Sequence, residues 1–163
     1  MDKNQAVTTF LKTYADINNN PLFFNFGDIE NNAYQVNVSY NDTSLNKQYV
    51  DGSELRRYTI YIDSFKSVST TPVVTGMLAE NIDDMQEVQK LLDWILIQAD
   101  NKNYPDFGIN CTIDSMTTKS TEPELLGIDS NLNPPIAIYR ITVDIDYIDS
   151  NKCLWSNNSV ISI

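Results

Sequence analysis

The sequence predicts an α+β fold in which an antiparallel sheet of about four strands carries two helices on one face. Two segments that alternate apolar and polar residues precede a long amphipathic segment, and two more follow it. This order is typical of helices packed on one side of an antiparallel sheet. With 163 residues, 42% of them hydrophobic, the chain is long enough for one domain with its own core. We expect residues 1–155 to form that domain and residues 156–163 to form a C-terminal tail.

The first predicted elements are a helix, an aromatic segment and a strand. Apolar residues recur at helical spacing near the N-terminus, at Val7, Phe10, Leu11 and Tyr14. The Asn-rich stretch 18–21 ends this helix, and the aromatic segment 21–27 (PLFFNFG) is expected to plug the edge of the core. Residues 33–40 (AYQVNVSY) alternate in polarity, so they predict the first strand.

A polar stretch, residues 41–54, follows the first strand, and it predicts either a long loop or a projecting hairpin. The dipeptide at 51–52, Asp-Gly, is a turn signal. Lys47, together with Arg56 and Arg57 just beyond the stretch, is the densest basic feature of an acidic chain. Because connections of this length are usually functional or disordered, we expect these three residues to contact a partner protein.

The remaining elements are two more strands around the main helix, and then the last strand. Residues 56–69 predict the second strand, since apolar and polar residues alternate from its beginning. The main helix is predicted at about residues 82–99, and a third strand at residues 109–118. A loop rich in Pro and Gly then leads to the final strand, residues 139–149 (YRITVDIDYID).

The main helix carries two large side chains far from its predicted core stripe. That stripe consists of Met85, Val88, Leu92, Ile95 and Ala99. Trp94 and Ile97 lie more than about 100° from its centre on a helical projection. Either the segment 103–108 of the same chain covers them or a neighbouring subunit does. We predict a subunit interface at Trp94 and Ile97, because Trp is favoured in interface cores.

Carboxylates line the polar side of the final strand. Asp144 and Asp146 project from the same face of that strand, and Asp63 lies on the polar face of the second strand. If the two strands are neighbours, these residues form one acidic, solvated surface. Paired carboxylates also act in glycosidases, so a carboxylate-dependent hydrolase is the alternative from another functional class.

Composition excludes several kinds of function. The chain has no histidine, which rules out Ser-His-Asp and Cys-His catalysis and Cys/His zinc sites within it. We therefore predict no enzyme activity, no catalytic residue and no metal or cofactor site. The net charge of −11 opposes sequence-independent binding of nucleic acid. Without a long apolar run or a signal peptide, the chain is expected to be made in the cytoplasm and to have no membrane partner.

Five segments of the chain together carry a family resemblance. They are NPLFFNF, DGSELRRYTI, ENIDDMQEVQKLLDWI, NYPDFG and IDYIDSNKCLW, spread over about residues 1–155. In these segments the chain resembles small virion proteins of tailed phages of low-GC Gram-positive bacteria, the tail-terminator or tail-completion proteins. The resemblance implies a homohexameric ring at the head–tail junction, assembled in the host cytoplasm. Its implied partners are further copies of itself, the tail tube protein and the head connector proteins.

This resemblance gives the acidic strands a role. Six copies bring 6 × −11 = −66 charges into one ring, and DNA has to pass through that ring without specific binding. Asp63, Asp144 and Asp146 are therefore predicted to line the channel and repel phosphate. A connector stopper or an adaptor with another symmetry is the alternative within the same virion.

Overall fold

The structure, a computed structural model, describes residues 2–40, 44–69 and 80–151 of the chain. Three helices and seven strands lie in these ranges. In chain order they are α1 (Lys3–Leu11), α2 (Ala15–Asn19), β1 (Leu22–Phe24), β2 (Tyr34–Val38), β3 (Ser44–Gln48), β4 (Glu54–Ser67), α3 (Glu80–Asp100), β5 (Cys111–Thr118), β6 (Glu124–Asp129) and β7 (Ile136–Asp149).

Two long strands, β4 and β7, form the centre of the sheet. They are antiparallel and pair along all 14 of their residues. Each long strand pairs along its outer side with two short strands that follow one another. These are β2 and β3 along β4, and β5 and β6 along β7. β1 extends the sheet beyond β2 and runs parallel to it. The result is a mixed sheet in which four short strands flank one long central pair.

The three helices contact one face of this sheet and enclose the main core with it. Alternation along the central strands turns every second residue to that face, because side chains in a strand point to opposite sides in turn. The sheet contributes Tyr58, Ile60, Ile62, Ile141, Val143 and Ile145, the helices Val7, Phe10, Leu11, Ile17, Val88, Leu91, Leu92 and Ile95. Each fully buried side chain of this size stabilises the fold by about 1.5–3 kcal/mol.

A smaller apolar cluster lies on the opposite face, at one end of the central strands. Ala33, Phe65 and Ile136 are buried there, and Phe23 and Ile138 pack against them. Phe65 is directly opposite Ile138 in the sheet, so both point away from the helices. The cluster leaves the middle of that face to polar residues.

The prediction of an antiparallel sheet of about four strands with two helices is wrong. The described residues form a seven-stranded mixed sheet and three helices. The sequence-based assignment missed β1 and β6, and it left the stretch that contains β3 open between a loop and a hairpin. β1 has three residues, too few for a recognisable alternation, and β3 is exposed throughout, so it has no apolar face to reveal it. β6 lies in the region read as a loop, where a bulge between Leu125 and Gly127 interrupts its pairing.

The polar stretch 41–54 contains a hairpin rather than a loop, as far as it is described. β3 pairs with β4, and Tyr49 and Ser53 close the turn between them through a 2.8 Å backbone hydrogen bond. Gly52 adopts a positive φ of 88°, which a side chain would disfavour, and the Asp51 carboxylate accepts from the Ser53 backbone N–H. Residues 41–43 and the predicted tail, 156–163, lie outside the described residues.

Candidate functional site: the polar face of the sheet

The side of the central strands that faces away from the helices carries a row of polar residues. Residues directly opposite each other in an antiparallel pair share a face, so the register of β4 and β7 identifies the members. We call this row the polar face: Arg57, Thr59, Tyr61 and Asp63 of β4, opposite Asp146, Asp144, Thr142 and Arg140 of β7.

One end of the polar face is fixed by an ion pair between Arg140 and Asp63. The guanidinium donates two hydrogen bonds to the carboxylate, at 2.7 and 2.8 Å, in the bidentate geometry that suits arginine. The side-chain amide of Asn37 donates a third, at 3.3 Å. The Arg140 guanidinium also lies 4.3 Å from the ring centre of Tyr61. Hydrogen bonding to Asp63 raises the pKa of Arg140, so the guanidinium stays protonated.

The other end holds a second ion pair and a buried carboxylate. Arg57 donates to both oxygens of Asp146, at 2.8 and 2.9 Å. Its guanidinium is also 3.8 Å from Asp144, which accepts a hydrogen bond from the Thr59 hydroxyl. The two arginines therefore offset two of the three aspartates, and the polar face keeps a formal charge of 2 − 3 = −1.

The three acidic residues share one face, but they are not the exposed row that the sequence suggested. Asp63 and Asp144 are only 4% and 7% exposed. The expectation of a solvated acidic surface is wrong for these two, because Arg57 and Arg140 lie on the same face and pair with them. Sequence reasoning assigned Arg57 to a partner contact and gave Arg140 no role. Period-two alternation placed both on this face and was the available signal.

The three basic residues predicted to contact a partner do not form one patch. Lys47 is exposed on β3, with its ammonium group 5.0 Å from the ring centre of Tyr49. Arg56 and Arg57 are consecutive in a strand and therefore point to opposite faces. Arg56 donates two hydrogen bonds to Glu54 on the helix side, and Arg57 belongs to the polar face. Of the three, Lys47 is the one positioned at an outer edge of the sheet.

Trp94 and Ile97 have different surroundings. Trp94 is partly buried, and its ring centre is 5.2 Å from those of Phe10 and Tyr14. α1 and the turn after it therefore contact this side chain, where the sequence suggested a neighbouring subunit or the segment 103–108. Ile97 is 55% exposed and stays a candidate for contact with another copy.

The described residues offer little for catalysis or metal binding. In these three ranges, no group of three or more Asp, Glu or Cys residues is placed to hold a metal ion. Cys111 is a free thiol, and burial raises its pKa, which lowers its reactivity. The second cysteine, Cys153, lies outside the described residues. No helix in the described part of the chain combines the length and apolar content needed to cross a membrane.

No protein-family profile matches the sequence of this chain, and no curated protein is detectably similar to it. The resemblance to tail-terminator proteins therefore stays a prediction.

Proposed function

We propose that this chain is a structural virion protein of a tailed phage and forms a ring of six copies at the head–tail junction. The ring ends the tail tube, joins it to the head connector and lets DNA pass without holding it. In this proposal the polar face of the sheet lines the channel, and the helix layer lies outside. The resemblance over residues 1–155 suggests the place in the virion, and the chemistry of the polar face supplies the physical support.

The observation that carries the proposal is the engagement of both arginines of the polar face by carboxylates. A surface holds DNA when its cations displace counterions from phosphates. Arg57 and Arg140 instead make bidentate hydrogen bonds to Asp146 and Asp63. Three aspartates against two arginines leave an excess of negative charge, which favours passage over binding.

The same face is suited to a wall rather than to a reaction site. Tyr61 and Thr142 are partly exposed and place hydroxyl groups between the two ion pairs, so the surface stays wetted. Cross-strand ion pairs and the full-length pairing of β4 with β7 hold it in one arrangement. Ile97 and Lys47, which lie elsewhere on the surface, are the proposed contacts with other copies or with the tail tube.

The location is tested in phage particles that carry this protein. A nonsense mutation in its gene should give filled heads that are not joined to tails, and supplying the wild-type chain should restore joined particles. Gold-labelled antibodies against the purified chain should bind at the head–tail junction of restored particles. Normal joining without the protein, or labelling of the capsid shell alone, would contradict the proposal. The number of copies per junction separates a six-fold terminator from a stopper or an adaptor of other symmetry.

A further inference from the structure

We propose that neighbouring copies of this chain pair edge to edge, with β3 of one copy against β6 of the next. This inference rests on the proposed ring and names the surfaces that join its copies. Both strands lie at outer edges of the sheet, β3 beside β4 and β6 beside β7. Among residues 2–40, 44–69 and 80–151, no further strand pairs with either. A strand at an edge presents backbone N–H and C=O groups that pair readily with a strand of another chain.

Both edges expose large apolar side chains. Leu125, Leu126 and Ile128 of β6 are 52%, 43% and 52% exposed, and Leu45 of β3 is 52% exposed. An edge that stays in water is usually blunted by charged residues or a bulge, and both strands have these features, yet each also exposes leucine or isoleucine. Exposed apolar residues grouped on one strand mark a surface that is covered in an assembly.

On β3, the apolar and the charged side chain lie on opposite faces. Leu45 is directly opposite Arg56 and therefore lies on the helix side of the sheet. Lys47 is directly opposite Leu55 and therefore lies on the polar side. A bulge between Leu45 and Lys47 produces this separation, because it places two residues of β3 opposite one of β4.

β6 has the same arrangement with the opposite charge. By their partners on β7, Leu125 and Ile128 lie on the helix side, and Glu124 and Asp129 lie on the polar side. Pairing β3 with β6 in one continuous sheet therefore brings leucine and isoleucine together on one face. On the other face it brings Lys47 towards the two carboxylates.

Charge selects this pairing over pairing between identical edges. Two β6 strands would place Glu124 and Asp129 of one copy near those of the other, and two β3 strands would bring their lysines together. Like charges across a strand pair are destabilising, and opposite charges are stabilising. The favoured contact joins two different patches, which is the head-to-tail type of interface that generates rings.

The strand directions agree with such a contact. β3 is antiparallel to β4, β4 to β7, and β7 to β6, so β3 and β6 of one copy run in opposite directions. Copies in the same orientation therefore present them as an antiparallel pair. Within one copy, Lys47 lies opposite Leu55 of β4, and Glu124 lies in the same cross-strand row as Asp63 of β4. These two rows are 63 − 55 = 8 residues apart along β4, or about 26 Å. If Lys47 of one copy faces Glu124 of the next, the two copies are displaced by this distance along their strands, so the strands of the ring are tilted to its axis, as in closed barrels.

Charge reversal tests the contact. Lys47→Glu and Glu124→Lys should each weaken self-association about ten-fold, measured by sedimentation velocity over a range of protein and salt concentrations. The double variant should recover most of the loss, because the reversed charges attract again. Lys90→Glu, at an exposed position of α3, is the matched control and should leave association unchanged.

Cysteine cross-linking tests the identity of the two edges. In the register that brings Lys47 opposite Glu124, Leu45 lies opposite Leu125. Under oxidation, a mixture of Leu45→Cys and Leu125→Cys chains should therefore form linked dimers, and neither variant alone should exceed the wild-type background of Cys111 and Cys153. If charge reversal leaves the rings intact and no mixed cross-link forms, the edge pairing is wrong, whereas the proposed function stands. A wild-type chain that stays monomeric would overturn both. A cross-link in a protein absent from the head–tail junction would support the pairing and overturn the proposed location.

Discussion

Removing the charge of Asp63 should destabilise the fold strongly, although Asp63 lies on the helix-free side of the sheet. Its side chain is 6% exposed, and it accepts two hydrogen bonds from Arg140 and one from Asn37. Asp63→Asn leaves the Arg140 guanidinium without its counter-charge and with one acceptor fewer. Breaking a buried ion pair in this way costs about 3–5 kcal/mol. Arg140 is itself 25% exposed, so solvent compensates in part, and we expect about 2–3 kcal/mol.

Urea denaturation of the purified protein measures this loss of unfolding free energy. In thermal unfolding, the same loss should appear as a fall of about 5–10 °C in melting temperature for a chain of this length. Asp114→Asn is the control, because Asp114 is exposed on β5, and its effect should stay within about 0.5 kcal/mol. Combining Asp63→Asn with Arg140→Met should cost about 1–2 kcal/mol less than the sum of the single changes. If Asp63→Asn matches the control, or stabilises the protein, the carboxylates repel one another and the ion-pair account is wrong.

Two further predictions concern the core. Trp94→Ala should lower the free energy of unfolding by about 2–4 kcal/mol, because the indole packs on Phe10 and Tyr14. Ile97→Ala should change it by less than about 1 kcal/mol, because Ile97 is exposed. Equal effects of the two changes in urea denaturation would contradict this prediction. Burial and a hydrogen bond to Asp16 raise the pKa of Tyr34 above its ordinary 10.0, so the contribution of Tyr34 to stability should be fully present below about pH 10 and be lost as the pH rises further. Tyr34→Phe should show a shallower fall above pH 10, and an identical pH profile would refute the assignment.

The long elements were predictable because each buries one face along its whole length. The last strand was predicted at residues 139–149 and spans Ile136–Asp149, and the main helix was predicted at about 82–99 and spans Glu80–Asp100. Alternation or helical periodicity over ten or more residues gives a strong signal. The short edge strands lack it, since their stability comes from pairing with β4 and β7 rather than from an apolar face of their own.

The candidate site was predictable in part for a related reason. Alternation placed Asp63, Asp144 and Asp146 on one face, and β4 and β7 proved to be neighbours. The partners depended on register: Arg57 meets Asp146 and Arg140 meets Asp63 because the two strands align over all 14 residues. A shift of one residue would separate both pairs, and local sequence does not determine that alignment.

The most direct test of the central claim is electron cryomicroscopy of the assembled protein. We expect a closed ring of six copies, with Arg57, Asp146, Arg140 and Asp63 of each copy facing the central hole and the helices on the outer wall. A chain that remains monomeric, or a ring whose hole is lined by α1 and α3, would contradict the account.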